Sequence, residues 1–364
     1  MKIGIFTFHC AQNYGAVLQA YGLQEYLRSQ GYDVYIIDYC PKYLLEPYKI
    51  LNIKKIVKNR NLKLFIREFL TIPIRLKRTL VFNKFVKQRL RLYKLDLYEE
   101  SNDFDAFVFG SDQIWNPSLT QGFDDVYFGK FPAAKGKLLI SYAASAGNVS
   151  QLTEIDKKYL KDALKDFSYI SVRERDFKSL LENEIKVRAT CVSDPVLLAG
   201  IDVYNSLVYH RHLKKVNDYL LLFQLEVIND LIRPFAMKVA NSLGKELIEV
   251  LSRGESMDMS IRQSLSPEAF LHYIKESSYV ITTSFHGTIF SILFNKPFST
   301  IKVNDYIDAR AGDLLAKLGV KSRLVNIECS EIKDMLDRST VQQDELELYV
   351  KESRVFLLNS LSLY

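Results

Sequence analysis

Cysteine is scarce in this sequence and follows no ligand pattern. The four cysteines, Cys10, Cys40, Cys191 and Cys329, are widely separated, and no two of them form a C-x-x-C pair. Since zinc sites and disulfide frameworks are normally recognised by close or regular cysteine spacing, we predict neither here. Packing in the core or at strand ends is the expected role of each cysteine. Cys10 is also a candidate nucleophile, because His9 beside it can act as a base.

Long apolar runs and several well-known cofactor motifs are also missing. No run approaches the roughly 18 residues of a membrane span, and the chain starts with a strand pattern where a signal peptide would stand. We therefore expect a cytoplasmic protein. A Walker loop, a G-x-G-x-x-G after a strand and an H-E-x-x-H are all absent, which argues against kinases, dehydrogenases and zinc hydrolases. We predict no bound metal and no cofactor beyond the substrates.

Positive charge is concentrated in one segment of the 364-residue chain. Residues 42–94 contain 16 Lys or Arg against only Glu46 and Glu68, which gives this segment a net charge of +14. The whole chain has a net charge of +6, so the remaining residues together carry −8. Apolar residues recur there at three- and four-residue spacing, which predicts two or three basic amphipathic helices inserted at about 42–95.

The basic segment has two open interpretations. Its helices either pack on the rest of the protein or contact an anionic membrane at the periphery, carrying the enzyme to a lipid-linked acceptor. The apolar residues available for shallow insertion include Leu64, Phe65, Phe69 and Leu70. The interleaved aliphatic residues argue against nucleic acid as the partner.

Short apolar segments alternate with helical patterns along the chain. The predicted strands are 2–8, 33–38, 106–109, 138–143, 169–172, 186–191, 219–225, 246–251, 279–283 and 298–303. The predicted helices are 16–29, 152–167, 177–181, 230–243, 267–277, 289–294, 312–318 and 342–361. This alternation predicts an α/β protein with two Rossmann-like domains, 1–197 and 198–340, facing a cleft. The terminal segment 341–364 is expected to pack back on the first domain.

The most informative stretch is Y-V-I-T-T-S-F-H-G-T at 279–288, where an apolar strand runs into a polar turn that carries His286. Gly287 is predicted to open the following helix, with Ser284 and Thr288 beside it. An imidazole at a helix N-terminus lies next to backbone N–H groups that attract anions. A hydrogen-bonded structural histidine is the alternative.

Polar residues follow several other predicted strands. In the first loop, Asn13 and Gly15 would let the backbone approach a ligand, unless Gly15 only permits a tight turn. Ser111, Asp112, Ser145, Arg173, Glu174 and Asp194 follow later strands. Because the carboxyl ends of parallel strands form ligand sites, we expect these loops and His286 to line one cleft.

Six sequence elements resemble the polysaccharide pyruvyl transferase family. They are N-Y-G-A-V-L-Q-A-Y, F-V-F-G-S-D-Q-I-W-N, S-Y-A-A-S, S-V-R-E, S-D-P-V-L-L and T-S-F-H-G-T-I-F-S-I-L-F-N-K-P-F. They occur in order over nearly the whole chain, apart from the basic insertion and the last twenty residues. The resemblance implies a fold similar to the two-domain GT-B glycosyltransferases and transfer of pyruvate from phosphoenolpyruvate to a sugar. It carries functional roles onto Arg173 and His286.

The implied chemistry is consistent with the residue types present. Phosphoenolpyruvate has a carboxylate and a phosphate, which Arg173, Arg310 and the helix start at Gly287 are suited to bind. His286 suits the acid or the phosphate-binding role. The base that deprotonates a sugar hydroxyl would be a carboxylate, with Asp112, Glu174 and Asp194 as the candidates.

Two other functions remain open from the sequence. A nucleotide-sugar glycosyltransferase of the same architecture would need an acidic residue late in the second domain, for which Asp308 and Asp313 are candidates. A non-catalytic scaffold of polysaccharide assembly is the other. The most informative observation would be release of inorganic phosphate from phosphoenolpyruvate that depends on a glycan acceptor.

Overall fold

The computed structural model describes residues 1–50, 62–209, 218–227, 229–253, 256–303, 305–328 and 341–362. Within these ranges the strands form two all-parallel sheets. The first sheet contains β1 (Lys2–Phe6), β2 (Asp33–Ile37), β3 (Leu92–Tyr93), β4 (Ala106–Gly110), β5 (Leu138–Ala144), β6 (Tyr169–Val172) and β7 (Thr190–Cys191). The second contains β8 (Tyr219–Gln224), β9 (Glu246–Leu251), β10 (Tyr279–Thr282), β11 (Phe298–Ile301) and β12 (Leu324–Val325).

Helices connect most of these parallel strands, as parallel pairing requires. In the first half they are α1 (Tyr14–Ser29), α2 (Lys42–Leu45), α3 (Leu62–Leu70), α4 (Ile72–Arg89), α5 (Pro117–Thr120), α6 (Glu154–Ala163), α7 (Arg175–Leu180), α8 (Pro195–Ala199) and α9 (Ile201–Tyr209). In the second half they are α10 (Ile232–Ser242), α11 (Pro267–Glu276), α12 (Phe285–Leu293), α13 (Asp305–Lys317) and α14 (Gln343–Ser362). Short 3-10 turns are Glu46–Tyr48, Asp125–Phe128, Pro132–Ala134, Val149–Gln151 and Lys321–Arg323.

Each sheet has a point at which the strand order reverses. The first sheet has the order β3-β2-β1-β4-β5-β6-β7, and the second has the order β12-β11-β10-β8-β9. The reversal falls between β1 and β4 in the first sheet and between β8 and β10 in the second. Ligands of doubly wound folds bind at such points, outside the carboxyl ends of the strands. The loops after β1, β4, β8 and β10 are therefore placed for a binding site.

The basic insertion is helical and partly packed. Pro73 lies in the first turn of α4, where its missing N–H costs no hydrogen bond. Phe82 and Phe85 are buried, and the buried Arg78 donates from Nε to the main-chain oxygen of Gln263 at 2.9 Å. The insertion in the first domain thus contacts the second domain. Among the described residues, no helix has both the length and the apolarity that a membrane crossing requires.

One apolar core runs through both domains. Helix α1 is buried on almost all sides, and its Leu18 and Leu23 belong to the same cluster as Val280 and Ile289 of the second domain. The Tyr14 ring stacks on Phe270 with centroids 4.3 Å apart. Helix α14 returns to the first domain, where Ser353 Oγ accepts a hydrogen bond from Ser193 N at 2.8 Å.

Most predicted elements lie within two residues of the observed ones, but several differ. Helix α12 begins at Phe285, so His286 lies in its first turn instead of the preceding loop. The predicted strand 186–191 is reduced to β7, because a π-helical turn occupies Leu181–Ile185 and Lys186 is left-handed, with φ of 66°. Helix α13 starts seven residues earlier than expected, and the predicted helix 152–167 is shortened to α6, which Thr153 and Asp156 cap.

Some sequence predictions fall outside the described residues. They are the part of the basic segment at 51–61, the side chains of Leu64, Phe65 and Asp308, and Cys329.

Candidate functional site

A cleft lies between the two domains at the points where the strand orders reverse. Its cavity has a volume of about 610 Å³, within the range of roughly 300–1,000 Å³ usual for small-molecule sites. The first domain contributes Asn13 and Asp112 to its lining, and the second contributes Arg253 and Arg310. The cleft therefore contains acceptors, carboxylates and cations from both domains.

The start of α1 forms one wall of the site. Asn13 caps this helix, and its Oδ1 accepts hydrogen bonds from the backbone N–H groups of Gly15 at 2.9 Å and Ala16 at 3.4 Å. A Cβ on Gly15 would overlap the His286 imidazole. Gly15 is thus required because the two domains approach each other closely here. Its φ is one that any residue can adopt, so neither a tight turn nor a positive φ explains why this residue is glycine.

The start of α12 packs against the start of α1 from the second domain, and none of its residues lines the cleft. Ser284 caps the helix, its Oγ accepting from Gly287 N at 3.4 Å. Thr288 is fully buried and bonds to Ser284 O at 3.2 Å and Thr300 Oγ1 at 2.6 Å. Thr288 therefore holds the helix on β11, and Gly287 lets the helix approach β10, since a Cβ there would collide with Thr282 Oγ1.

Asp194 joins the two predicted functional residues. Its Oδ2 lies 3.0 Å from Arg173 Nη1 and 3.6 Å from His286 Nε2, and its Oδ1 accepts from Val196 N at 3.0 Å. Burial by itself would raise the pKa of this carboxyl, but the His286 and Arg173 side chains lower the pKa to about 2. Asp194 is thus a buried carboxylate that orients a guanidinium from the first domain and an imidazole from the second.

Phe285 separates two arginines. The Arg173 guanidinium lies 5.0 Å from the centre of the Phe285 ring, and that of Arg310 lies 5.2 Å from it, distances at which a cation is attracted by an aromatic face. Arg173 Nε also donates to Glu174 Oε1 at 3.1 Å. These side chains line a small cavity of about 60 Å³, and Arg310 lines both this cavity and the cleft.

The remaining predicted residues lie around β4 and β5. Asp112 is left-handed, with φ of 69°, and its main-chain oxygen accepts from Ser145 N at 3.0 Å. The Ser145 hydroxyl accepts from Gly147 N at 3.2 Å. Ser111 Oγ is buried and has no hydrogen-bond partner among the described residues. Asp112 thus faces the cleft, while Ser111 and Ser145 lie beneath it.

Two residues of the site were missed at the sequence level. Phe285 gave no signal of its own, because an apolar residue before His286 is equally typical of core packing. Arg253 follows β9 and lines the cleft, and its position after a predicted strand was a usable signal.

Asp313, which the sequence offered as a candidate for the glycosyltransferase alternative, lines the small cavity. Burial raises the pKa of its carboxyl.

The model of the family described as polysaccharide pyruvyl transferase matches residues 13–305. The chain belongs to this family. The resemblance found in the sequence motifs is thus confirmed. The family description is that of a transferase that acts on polysaccharide. No curated relative matches the sequence.

Solved structures with similar folds include UDP-GlcNAc 2-epimerase from Neisseria meningitidis, with a TM-score of 0.51, 10% identity and 100% of both chains covered. A Listeria monocytogenes protein described as a UDP-N-acetylglucosamine 2-epimerase has a TM-score of 0.50 and 11% identity, with 98% of this chain and 87% of that chain covered. Identities this low show the fold alone. The predicted fold class, an α/β protein with two Rossmann-like domains facing a cleft, is confirmed.

Proposed function

We propose that this protein transfers pyruvate from phosphoenolpyruvate to two hydroxyls of one sugar, forming a ketal and releasing phosphate. The acceptor is a surface polysaccharide or its lipid-linked precursor. The observation that carries the proposal is the Asp194 cluster, in which one buried carboxylate orients Arg173 and His286 beside Arg310. Family membership supports the same reaction.

The donor is assigned to the side of the cleft that carries Arg310, which also lines the small cavity beside the start of α12. Phosphoenolpyruvate presents two anionic groups, and guanidinium groups and helix N-termini are the partners that bind such groups best. Glu174 and Asp194 already neutralise much of the charge of Arg173. Arg310, which lines both cavities, is therefore assigned the larger share of donor binding.

The proposed chemistry begins with proton transfer to carbon. His286 donates a proton to the methylene carbon of the donor, C2 becomes electrophilic, and the first sugar hydroxyl adds to it. The bond from C2 to the phosphate oxygen then breaks, and the second hydroxyl adds to C2 and closes the ketal ring. Of the two protons lost by the sugar hydroxyls, one restores the protonated form of His286. The other is carried away by the released hydrogen phosphate.

Asp112 is assigned as the base for the attacking hydroxyl. Glu174 and Asp194 are both held in ion pairs with Arg173, and neither lines the cleft. Asp112 lines the cleft, where the sugar would lie. The cleft also offers Asn13 and Gln113 for hydrogen bonds to sugar hydroxyls.

We also propose that the basic segment, residues 42–94, brings the enzyme to the cytoplasmic face of an anionic membrane. Ile66, Phe69 and Leu70 of α3 and Leu80 of α4 are exposed. Apolar side chains next to exposed lysines are typical of surfaces that bind at the membrane interface. A lipid-linked acceptor would then lie close to the cleft.

The reaction is tested by phosphate release from phosphoenolpyruvate in the presence of p-nitrophenyl hexosides with free 4- and 6-hydroxyls. Mass spectrometry should detect the ketal product. His286→Ala and Arg173→Ala are each expected to reduce turnover about a hundredfold, the usual loss when one charge-stabilising donor is removed. His272→Ala is the matched control, because His272 lies in α11 and is not among the partners of Asp194, which are Arg173, His286 and Val196.

Near-normal turnover by His286→Ala would contradict the assignment. Sugar transfer from a UDP-hexose, with no consumption of phosphoenolpyruvate, would establish the glycosyltransferase alternative. A folded protein that consumes neither donor with any acceptor of the panel would favour the scaffold.

A further inference from the structure

A second polar cluster lies at the carboxyl edge of the first sheet. His9 follows β1, and Asp38 and Cys40 follow its neighbour β2. His9 Nε2 lies 3.3 Å from Asp38 Oδ1 and 3.5 Å from Cys40 Sγ, and Cys40 Sγ lies 3.5 Å from Asp38 Oδ1. An imidazole nitrogen, a carboxylate oxygen and a thiol sulfur thus form a triangle with nearly equal sides.

The size of this triangle matches a tetrahedral zinc site. Zinc binds imidazole and carboxylate at about 2.0–2.2 Å and thiolate at about 2.3 Å. Two such ligands on a tetrahedron are separated by roughly 3.3–3.7 Å, from the geometry alone. The three measured separations all fall within this range, so that one ion above the triangle would contact all three atoms.

The surroundings of His9 favour the tautomer that binds metal. His9 Nδ1 lies 3.2 Å from the Thr7 main-chain oxygen. A proton on Nδ1 would be donated to this carbonyl, and Nε2 would then present its lone pair to the centre of the cluster. The His9 side chain is 1% exposed, whereas Asp38 and Cys40 are half-buried, which leaves a path for an ion.

Cys10 adjoins the same cluster. It follows His9 directly, and Cys10 and Cys40 are both free thiols. The Cys10 thiol is not among the ligand atoms that lie within 4.8 Å of one another, so the cluster provides three protein ligands. A tetrahedral zinc ion held by three protein ligands has a fourth position for water.

We propose that His9, Asp38 and Cys40 bind a zinc ion. The ion would tie the loop after β1 to the loop after β2, and so fix the residues that lead to the helix cap Asn13. Sequence spacing predicted no metal, since Asp38 and Cys40 lie about 30 residues from His9 and only the sheet brings them together. The proposal does not depend on the reaction assigned to the cleft.

Metal content provides the direct test. Full-length protein expressed with added zinc sulfate and dialysed against metal-free buffer is expected to retain about one zinc per chain by mass spectrometry of the metal. Exchange with cobalt should produce thiolate-to-cobalt charge-transfer absorption in the near ultraviolet, together with the visible bands of a tetrahedral site. Neither measurement requires a variant or an activity.

Variants then identify the ligands. Cys40→Ser and Asp38→Asn are expected to bind zinc at least tenfold more weakly, with circular dichroism to show that each remains folded. Cys191→Ser is the matched control and should keep its zinc, because Cys191 ends β7 at the far edge of the sheet. The cobalt charge-transfer band should be lost in Cys40→Ser and kept in Cys10→Ser, because Cys10 is not part of the cluster.

Several outcomes would overturn the proposal. A folded wild-type protein that binds neither zinc nor cobalt would show a cluster held by hydrogen bonds alone. A Cys10–Cys40 disulfide in the freshly purified protein, found by mass spectrometry after alkylation, would exclude the site. Zinc loss in Cys191→Ser equal to that in Cys40→Ser would also contradict it.

Discussion

Asp194 shows how one buried residue organises the chemistry of a site. A carboxylate without partners would become protonated on burial, because the charged form loses its hydration. Here the His286 and Arg173 side chains reverse that tendency and lower the pKa to about 2. The same contacts fix the imidazole and guanidinium in position. The interactions that stabilise the folded protein at Asp194 are therefore the ones that orient the functional groups.

The first prediction concerns stability in acid. The folded pKa of Asp194, about 2, is below the ordinary value of 3.8, so the folded protein binds this proton more weakly than the unfolded chain. The stabilisation is present above about pH 4 and is lost as the pH falls towards 2, a change of about 2 kcal/mol. Urea unfolding of the wild type and Asp194→Asn between pH 6 and about 2.5 measures it.

The Asp194→Asn protein should be less stable at neutral pH and should lose less stability on acidification. Asp202→Asn, which changes an exposed carboxylate on α9, should follow the wild type. An acid dependence in Asp194→Asn as steep as that of the wild type would contradict the assignment.

Gly15 gives a second prediction at the residue scale. In Gly15→Ala the new methyl group would displace the His286 imidazole from its position beside Asp194. We expect turnover to fall at least tenfold, because a catalytic group that is displaced by about 1 Å loses much of its effect. Gly312→Ala in α13 is the control, since a Cβ there meets Leu324 at an ordinary 3.4 Å.

Steady-state kinetics and thermal unfolding of both variants separate function from folding. Full activity in Gly15→Ala would mean that His286 moves without consequence, and its role in proton transfer would then have to be withdrawn.

Among the secondary-structure elements, α3 and α4 differ most from the usual doubly wound pattern. Phe82, Phe85, Arg75 and Arg78 are buried, so the insertion packs on the protein on one side. Its other side exposes Lys77, Lys84 and Lys87 together with Leu80. Packing on the protein is therefore confirmed for one side of these helices, and membrane contact by the other side stays a prediction.

Replacing Lys77, Lys84 and Lys87 with Gln is expected to weaken binding to anionic vesicles about a hundredfold, since each such residue contributes about 1 kcal/mol. Co-sedimentation with phosphatidylserine vesicles at low salt measures the effect. The matched control changes Lys135, Lys161 and Lys165, which are exposed outside the segment. Equal binding by the two triple variants, or none by the wild type, would refute membrane docking.

Sequence patterns identified elements best where local chemistry decides the structure. Strands such as β1, β5 and β8 were predicted because strands buried on both faces are continuous apolar runs. The two-residue strands β3 and β12 were missed, since they exist only through pairing at the sheet edges. The start of α12 was misplaced because Ser284, two residues before His286, supplies the cap.

The same limit applies to the candidate sites. Strand-end positions predicted that Arg173 and His286 would lie near one another, because the carboxyl edges of the two sheets were expected to face each other. The contact of His286 with Gly15 depends on how the two domains pack, and no local sequence pattern predicts it. The approach of Cys40 to His9 depends on the pairing of β1 with β2, which spacing along the chain cannot show.

At the scale of the whole molecule, the two domains share a core instead of meeting across a loose interface. Tyr14 contributes to both, since its ring lies against Phe82 of the insertion and stacks on Phe270 of α11. Its hydroxyl also donates to the main-chain oxygen of Leu265 at 3.1 Å. Because apolar contacts continue from α1 into α12, we expect the two domains to unfold together in one cooperative transition.

Tyr14→Ala is expected to uncouple the domains. Loss of the ring removes contacts to both of them and should cost about 3–5 kcal/mol, the usual effect of deleting a buried aromatic side chain. Differential scanning calorimetry should then resolve two transitions in place of one. Phe104→Ala is the matched control, because Phe104 is equally buried but packs within the first domain alone, so its single transition should shift to lower temperature without splitting. A single transition in Tyr14→Ala would show that the coupling does not depend on Tyr14, and two transitions already in the wild type would show that the shared core does not couple the domains.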